Sequence, residues 1–383
     1  MKVLYDHQAF TMQYFGGVSK SFCELISHFP KDVNAEIGVI QSNNVHLVQS
    51  GLCPMLEAVN FDYKTFLPHF HFKGKGRLYS CFNRLFPFFP SVEHINKRRI
   101  VELLQAGDFD VFHPTFFDDY FLPYLNGKPF VLTVHDMMPE LFPQYFSRND
   151  FQIVRKRKLT ELASAIVAVS EQTKMDLMNI LGVPEEKITV IHHGGPHQVS
   201  IQDAPLIKVP YFLYIGTRTV YKNFYQLVVD FAKLYEKRRN ILLVCTGEYF
   251  SQKELALFRK CGVTDGIVHI YANDDEVKNL YAYAIAFVYP SLYEGFGMPI
   301  LEAFACGCPV LLNNKSCFPE VAGDAGIFFC SDVNGSDLFE KLEHAIEWTD
   351  KERYFIIEKG YKRLKNFTWE DAAAKLTAVY QSL

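Results

Sequence analysis

Short apolar runs recur along this chain with room for one helix between them, and that rhythm constrains the fold more than any other feature. Runs at Lys2–Tyr5, Ala35–Ile40, Asp110–His113, Phe130–Val134, Ala165–Val169 and Ile188–Ile191 alternate with amphipathic segments at Val18–Phe29, Val92–Gln105, Asp150–Leu162 and Glu171–Leu181. Continuous apolar strands between helices fit a parallel sheet covered on both faces. From Val209 the rhythm restarts: PYFLYIG, a helix from Asn223, ILLVCTG, a helix from Gln252, GIVHI, a helix over Asp274–Ala284, then AFVYP, PVLL and GIFF. The expectation is an α/β chain of two doubly wound domains, residues 1–200 and 207–367, hinged near Pro196–Pro210. The closing segment FTWEDAAAKLTAVYQSL reads as a helix with Thr368 as its N-cap.

Two such domains facing each other bring the carboxyl ends of both sheets to a shared cleft, where open α/β sheets bind ligands. The 383 residues suffice for a core in each domain, and 49% hydrophobic against 21% charged residues describes a globular chain. A net charge of −4 gives no case for a nucleic acid partner. Nine cysteines without a CxxC pair read as reduced thiols of a cytosolic protein. The start, MKVLYDHQAF, lacks the layout of a signal peptide, and no apolar run approaches the ~20 residues of a spanning helix. The expected location is the cytoplasm, with the option of peripheral contact on the inner face of the membrane.

The stretch SLYEGFGMPILEAFACGCPV, Ser291–Val310, carries two carboxylates, Glu294 and Glu302, in an otherwise apolar setting. On one continuous helix they would stand roughly 12 Å apart along the axis. Gly295 and Gly297 argue against that helix, and Pro299 suits a first helical position. Glu294 is therefore expected on a tight loop and Glu302 in the first turn of the next helix, with the loop folding one carboxylate toward the other.

Other constellations fall at strand ends. GTRTVYKN places Arg218 and Lys222 ahead of a helix, where two cations and helix amides suit a diphosphate; the alternative is two solvated loop charges. In YFGGVSK, Gly16 and Gly17 either bring backbone N–H groups close to an anion or simply start a helix. VLTVHDMMPE puts His135 and Asp136 at a strand end, as a buried structural pair or as groups that meet a substrate. His113 is a weaker candidate of the same kind, and His192–His193 reads as shaping the hinge. Asp118–Asp119 lacks a third metal ligand at useful spacing, so no metal site is expected. No GxxxxGK[ST], GxSxG or HExxH motif is present.

The E-x7-E pattern of Glu294 and Glu302 within PSLYEGFGMPILEAFACGCPV resembles retaining glycosyltransferases of family 4, with the GT-B fold. FGGVSKSF, FVLTVHDMMPE, VAVSEQTKMDL, VIHHGG, YIGTRTVYKN and SCFPEVAGDAGIFF extend the resemblance over most of the chain. It implies two Rossmann-like domains, the second holding a nucleotide sugar, and a last helix, 368–383, that crosses back to the first. It further implies that Glu302 binds the ribose hydroxyls, and that Glu294 faces the donor sugar with the N–H groups of Phe296, Gly297 and Met298. Arg218 and Lys222 would hold the diphosphate, helped by the Gly17 turn, while His135 and Asp136 lie near the transferred sugar. Tyr221 stands where the family often has arginine, which would leave Arg218 as the guanidinium. No metal or other cofactor is expected, because a cationic clamp can stabilise the leaving diphosphate.

The implied activity is sugar transfer from a nucleotide-diphosphate sugar to a glycan or lipid-linked acceptor in surface polysaccharide or glycolipid assembly. The alternatives are a GT-B sugar-nucleotide epimerase and a non-catalytic assembly partner. A last expectation concerns Phe61–Arg99, where aromatic residues interleave with eight lysines and arginines against Asp62 and Glu93. Such a mixture suits a membrane interface or, alternatively, an ordinary helix pair with its rings packed inward.

Overall fold

The computed structural model describes residues 1–59, 66, 67, 70, 74–85, 91–146, 150–201, 203–332 and 335–383. In the first domain, β1 (Lys2–Tyr5), β2 (Asn34–Ile37) and β3 (Val111–His113) form a parallel sheet in the order β2-β1-β3. Next come β4 (Val131–Val134), β5 (Ala165–Ala168) and β6 (Ile188–Val190), parallel in chain order. A parallel bridge between Phe112 and Phe130 links the two groups. The second domain is one parallel sheet of β7 (Tyr211–Tyr214), β8 (Leu242–Cys245), β9 (Ile267–His269), β10 (Phe287–Tyr289), β11 (Val310–Asn313) and β12 (Gly326–Phe329), in the order β12-β11-β10-β7-β8-β9.

Strands that read as unbroken apolar runs are buried on both faces: VLTV, YFLY and VLLN are buried at every position. Helices begin where the sequence offers a cap. Asp150, Ser170, Ser251, Asn273 and Thr368 each accept a backbone N–H from the first turn of their helix. The first-domain run expected over Ala35–Ile40 stops pairing at Ile37. Beyond Gly38 the N–H groups of Ile40 and Gln41 both go to Asn96 Oδ1, at 2.9 and 3.0 Å, so a side chain of helix Val92–Ala106 takes the place of the neighbouring strand.

Strand order reverses between β10 and β7 in the second domain and around β1 in the first. Loops leaving the carboxyl ends at these switch points diverge and leave a crevice. The chain passes between domains twice, and the two connections touch: Gly195 N–H donates to Phe367 O at 3.0 Å. Gly194 lies so close to Trp369 that a Cβ would stand 2.4 Å from its backbone nitrogen.

The helix Trp369–Gln381 then joins the first-domain core through Trp369, Ala372, Leu376, Val379 and Tyr380. The Tyr380 hydroxyl sits 2.5 Å from both Tyr5 Oη and His113 Nδ1, and His113 Nε2 meets Thr133 Oγ1 at 2.9 Å. Both His113 nitrogens are thus engaged, Nδ1 with the last helix through Tyr380 and Nε2 with β4 through Thr133.

Candidate active site

The loop that leaves β10 bends at Gly297, whose φ of 88° lies in the left-handed region, and the helix Met298–Ala305 begins there. Glu294 lies on the loop as expected. Glu302 does not lie in the first turn: it is the fifth helical residue, because the helix starts at Met298 with Pro299 second. Its carboxylate therefore points from the second turn, and Oε1 meets Lys20 Nζ of the first domain at 2.8 Å. Glu294 is 9% exposed, and its Oε1 lies 2.6 Å from Lys222 Nζ. The Ser316 hydroxyl, donating to Glu294 O at 2.7 Å, fixes the backbone behind this pair.

Lys222 ends a short 3-10 turn after β7, directly before helix Phe224–Lys237, across the switch point from Glu294. Arg218 is engaged within its own domain. Its guanidinium does not present a free charge to the cleft: Nε meets Glu254 Oε1 at 2.5 Å, and the side chain is only 5% exposed. Its other donors go to the carbonyls of Thr246, Glu248 and Tyr249. Arg218 is committed to holding the loop after β8. Lys222 remains the cation of this pair that faces a carboxylate of the E-x7-E motif.

Two helix N-termini approach each other across the crevice. Helix Gly17–Ser27 starts at Gly17, and a Cβ there would lie 3.9 Å from Met298 Sδ. Among the described residues, no acceptor receives the N–H groups of Gly17, Phe296, Gly297 or Met298. Such termini carry partial positive charge and unpaired donors, which suits an anion.

The opposite wall is the end of β4. Gly295 presses on it so closely that a Cβ would lie 1.7 Å from His135 O, which explains why the position lacks a side chain. His135 stacks on His193 with ring centroids 5.8 Å apart and meets Phe22 edge-on. Burial lowers its pKa to about 4, Asp136 opposing and Lys156 adding to the shift, so the ring is neutral at pH 7. Its Nε2 is buried and has no partner among the described residues. Asp136 is turned to a different task from a charge partner: Oδ1 accepts Met138 N–H at 3.0 Å and stabilises the turn. Behind it, Lys156 Nζ donates to Asp136 O at 3.0 Å and pairs with Glu140 at 2.9 Å, both side chains almost fully buried.

The remaining candidates take structural places. Asp118 and Asp119 are neutralised by Lys97, Arg155 and Lys158. His192 pairs with Glu320 at 2.6 Å, joining the hinge to the second domain. Among the described residues no group of three or more His, Cys, Asp or Glu could hold a metal ion. All nine cysteines are free.

Sequence reasoning missed Lys20, Tyr293 and Lys156. The signal for Lys20 was available, since it follows the Gly-Gly turn by one helical turn and shares its face. Nothing local marked Lys156 among the other cations of its helix.

Paired parallel-sheet domains with opposed strand ends and helix N-termini lining the crevice define the GT-B fold. Solved structures carry the same fold: Anabaena Alr3699/HepE in complex with UDP and glucose has a TM-score of 0.73 at 16% identity, covering 100% of both chains. WaaG, a glycosyltransferase involved in lipopolysaccharide biosynthesis, gives 0.66 at 17% identity over 99% of each chain. Residues 15–197 match the model described as Glycosyltransferase Family 4, and residues 201–363 match that of Glycosyl transferases group 1. The O-antigen chain mannosyltransferase B of Escherichia coli is 30% identical over 282 residues, 69% of this chain and 73% of that one. RfbU, an O-antigen chain mannosyltransferase of Salmonella typhimurium, is 27% identical over 208 residues, 54% and 58% of the two chains. This chain belongs to glycosyltransferase family 4 and is an enzyme of that class.

Proposed function

We propose that the enzyme transfers a hexose, with retention of configuration, from a nucleotide-diphosphate sugar to a glycan or lipid-linked acceptor of surface polysaccharide. The observation that carries this reading is the Lys222–Glu294 pair, set beside two helix N-termini and opposite a neutral His135. Cleavage of the bond to the anomeric carbon leaves negative charge on the diphosphate. Lys222 and the N–H groups at Gly17 and Met298 are oriented beforehand toward that charge, so stabilising it costs little reorganisation. Glu302 offers a carboxylate to the ribose hydroxyls, and Lys20 holds that carboxylate from across the cleft. The N–H groups of Phe296 and Gly297, with Glu294, meet the sugar on one side. The uncharged imidazole of His135 meets it on the other, while Asp136 keeps the His135 turn in place. Arg218 is given no contact with the diphosphate in this reading. No divalent ion is assigned a part.

GDP-mannose is the first donor to test, since several relatives are mannosyltransferases. Release of GDP in the presence of a lipid-linked glycan, undiminished by a chelator, is the expected result. Failure with both GDP-mannose and UDP-glucose would overturn the donor assignment, and loss of activity restored by a divalent ion would overturn metal independence. In a parallel thermal-shift screen, the matching nucleoside diphosphate should stabilise the native state.

We further propose peripheral contact with an anionic membrane through the segment 61–99. Phe61, Tyr63, Lys64, Phe72, Lys73, Phe86, Phe88 and Phe89 fall outside the described residues. Within them, helix Lys75–Leu85 leaves Arg77, Leu78 and Phe82 exposed, as is Phe70, and carries no acidic residue in its first turn. Phe66, by contrast, is 8% exposed and packs on Tyr79 and Phe82. No helix among the described residues is long and apolar enough to cross a membrane. Sedimentation with anionic liposomes at low salt, lost at high salt, is expected; absence of binding at low salt rejects the contact.

A further inference from the structure

The loop between β10 and helix Met298–Ala305 faces the two domains alternately. Leu292 N–H donates to Tyr221 O at 2.8 Å, and Glu294 is held by Lys222 and Ser316, all within the second domain. Tyr293 and Gly295 turn the other way. Gly295 O accepts the Ser170 hydroxyl at 2.7 Å, and its Cα abuts His135. Tyr293 is 5% exposed; its hydroxyl donates to Asp176 Oδ2 at 2.7 Å and accepts Met137 N–H at 3.2 Å. Asp176 Oδ1 is filled by Gln172 Nε2 at 2.9 Å.

One buried phenol therefore ties the residue before Glu294 to the residue after Asp136. Burial pushes the phenol pKa up, and Asp176 pushes it further, so the hydroxyl stays protonated and donates. If the hydroxyl were removed, a buried carboxylate oxygen and a buried N–H would both lose a partner, which the surrounding structure resists. Aromatic packing alone would hold the ring in the crevice without fixing its height between the two loops.

We infer that Tyr293 is a positioning residue for transfer, its hydroxyl setting the distance between the Glu294 loop and the His135–Asp136 turn. The consequence for reaction rests on the donor reading above; the consequence for the loops does not. Tyr293 acts through these two loops, so its loss should affect turnover rather than nucleotide affinity.

The variants are Tyr293→Phe, Asp176→Asn and Asp176→Ala, assayed with GDP-mannose and UDP-glucose as probes. Tyr293→Phe should lower kcat about tenfold while leaving KM for the donor within about twofold. Asp176→Asn keeps an oxygen that accepts the hydroxyl and should stay within about threefold of wild type, whereas Asp176→Ala should match Tyr293→Phe. The double variant Tyr293→Phe, Asp176→Ala should be no worse than either single one. Hydrogen exchange on the nucleotide-free protein reads the register without any donor: amides of 135–138 and 291–297 should exchange faster in Tyr293→Phe. Unchanged exchange in both loops overturns the inference even if neither probe is a substrate. An unchanged kcat, or a parallel loss of kcat, affinity and melting temperature, also overturns it. A wild-type enzyme inactive with both probes, with the exchange change still present in Tyr293→Phe, would instead sink the donor reading alone.

Discussion

On the second-domain side of the cleft, polar groups near the switch point are charged and paired, Lys222 with Glu294 and Arg218 with Glu254. On the first-domain side stand His113, His135 and His193, each kept neutral by burial. The charged wall suits a nucleotide diphosphate, whose charge grows as it leaves. The neutral wall suits a sugar and an acceptor hydroxyl, which carry no charge. Within the neutral wall the same chemistry divides again. His113 has both nitrogens satisfied and serves the fold, whereas His135 keeps a buried Nε2 without a partner among the described residues. Partnering, more than position at a strand end, separates the structural imidazole from the one available to a ligand.

The comparison breaks most sharply at Lys222. Lys222→Ala should lower kcat about 10²–10³-fold, the scale of losing one preorganised charge stabiliser. An unchanged kcat would show that the charged wall does not carry the leaving group. Next is Glu302→Ala, which should weaken nucleoside diphosphate binding by about 1.5–3 kcal/mol, read by calorimetry, as a ribose diol loses a charged acceptor. If affinity is unaltered, Glu302 serves only as the partner of Lys20. His135→Ala should cost about tenfold in kcat with the melting temperature held within a few degrees. Unfolding of that variant would return His135 to the structural class beside His113.

A separate effect, on stability and not on turnover, is a pH dependence. Burial lowers His113 to about 3 and His135 to about 4, against an ordinary value of 6.5. Between roughly pH 6.5 and 4 the unfolded chain binds protons that the native imidazoles refuse. Their contribution is therefore complete above pH 6.5 and falls as the solution is acidified, by at most about 1.4 kcal/mol per pH unit for each ring. Urea unfolding at pH 7 and pH 5 should show the decline, with a shallower slope in His113→Asn. Equal stability at both pH values would mean that neither ring is held neutral.

The strands and the bend at Gly297 were legible because their causes are local: apolar runs, a left-handed glycine and a nearby proline. Glu294 on its loop followed from the same signals. The error at Glu302 was one of phase, since a helix that starts at Met298 instead of at Pro299 makes Glu302 its fifth residue, in the second turn. The Arg218–Glu254 pair was illegible for a different reason. Glu254 lies 36 residues from Arg218 on another helix, and a cation beside a helix start looks the same in sequence whether or not a distant carboxylate claims it. Lys20 and Glu302, 282 residues apart, meet only because two domains do.

The hydrogen bond between Tyr5 and Tyr380 spans 375 residues and has a consequence for synthesis. As the chain leaves the ribosome, the strand that carries Tyr5 appears early, while the helix that covers its sheet emerges only after the entire second domain. The second domain can thus complete its sheet from a contiguous stretch of nascent chain while the first still exposes the apolar groove awaiting Trp369, Leu376 and Tyr380. The first domain, begun first, is finished last.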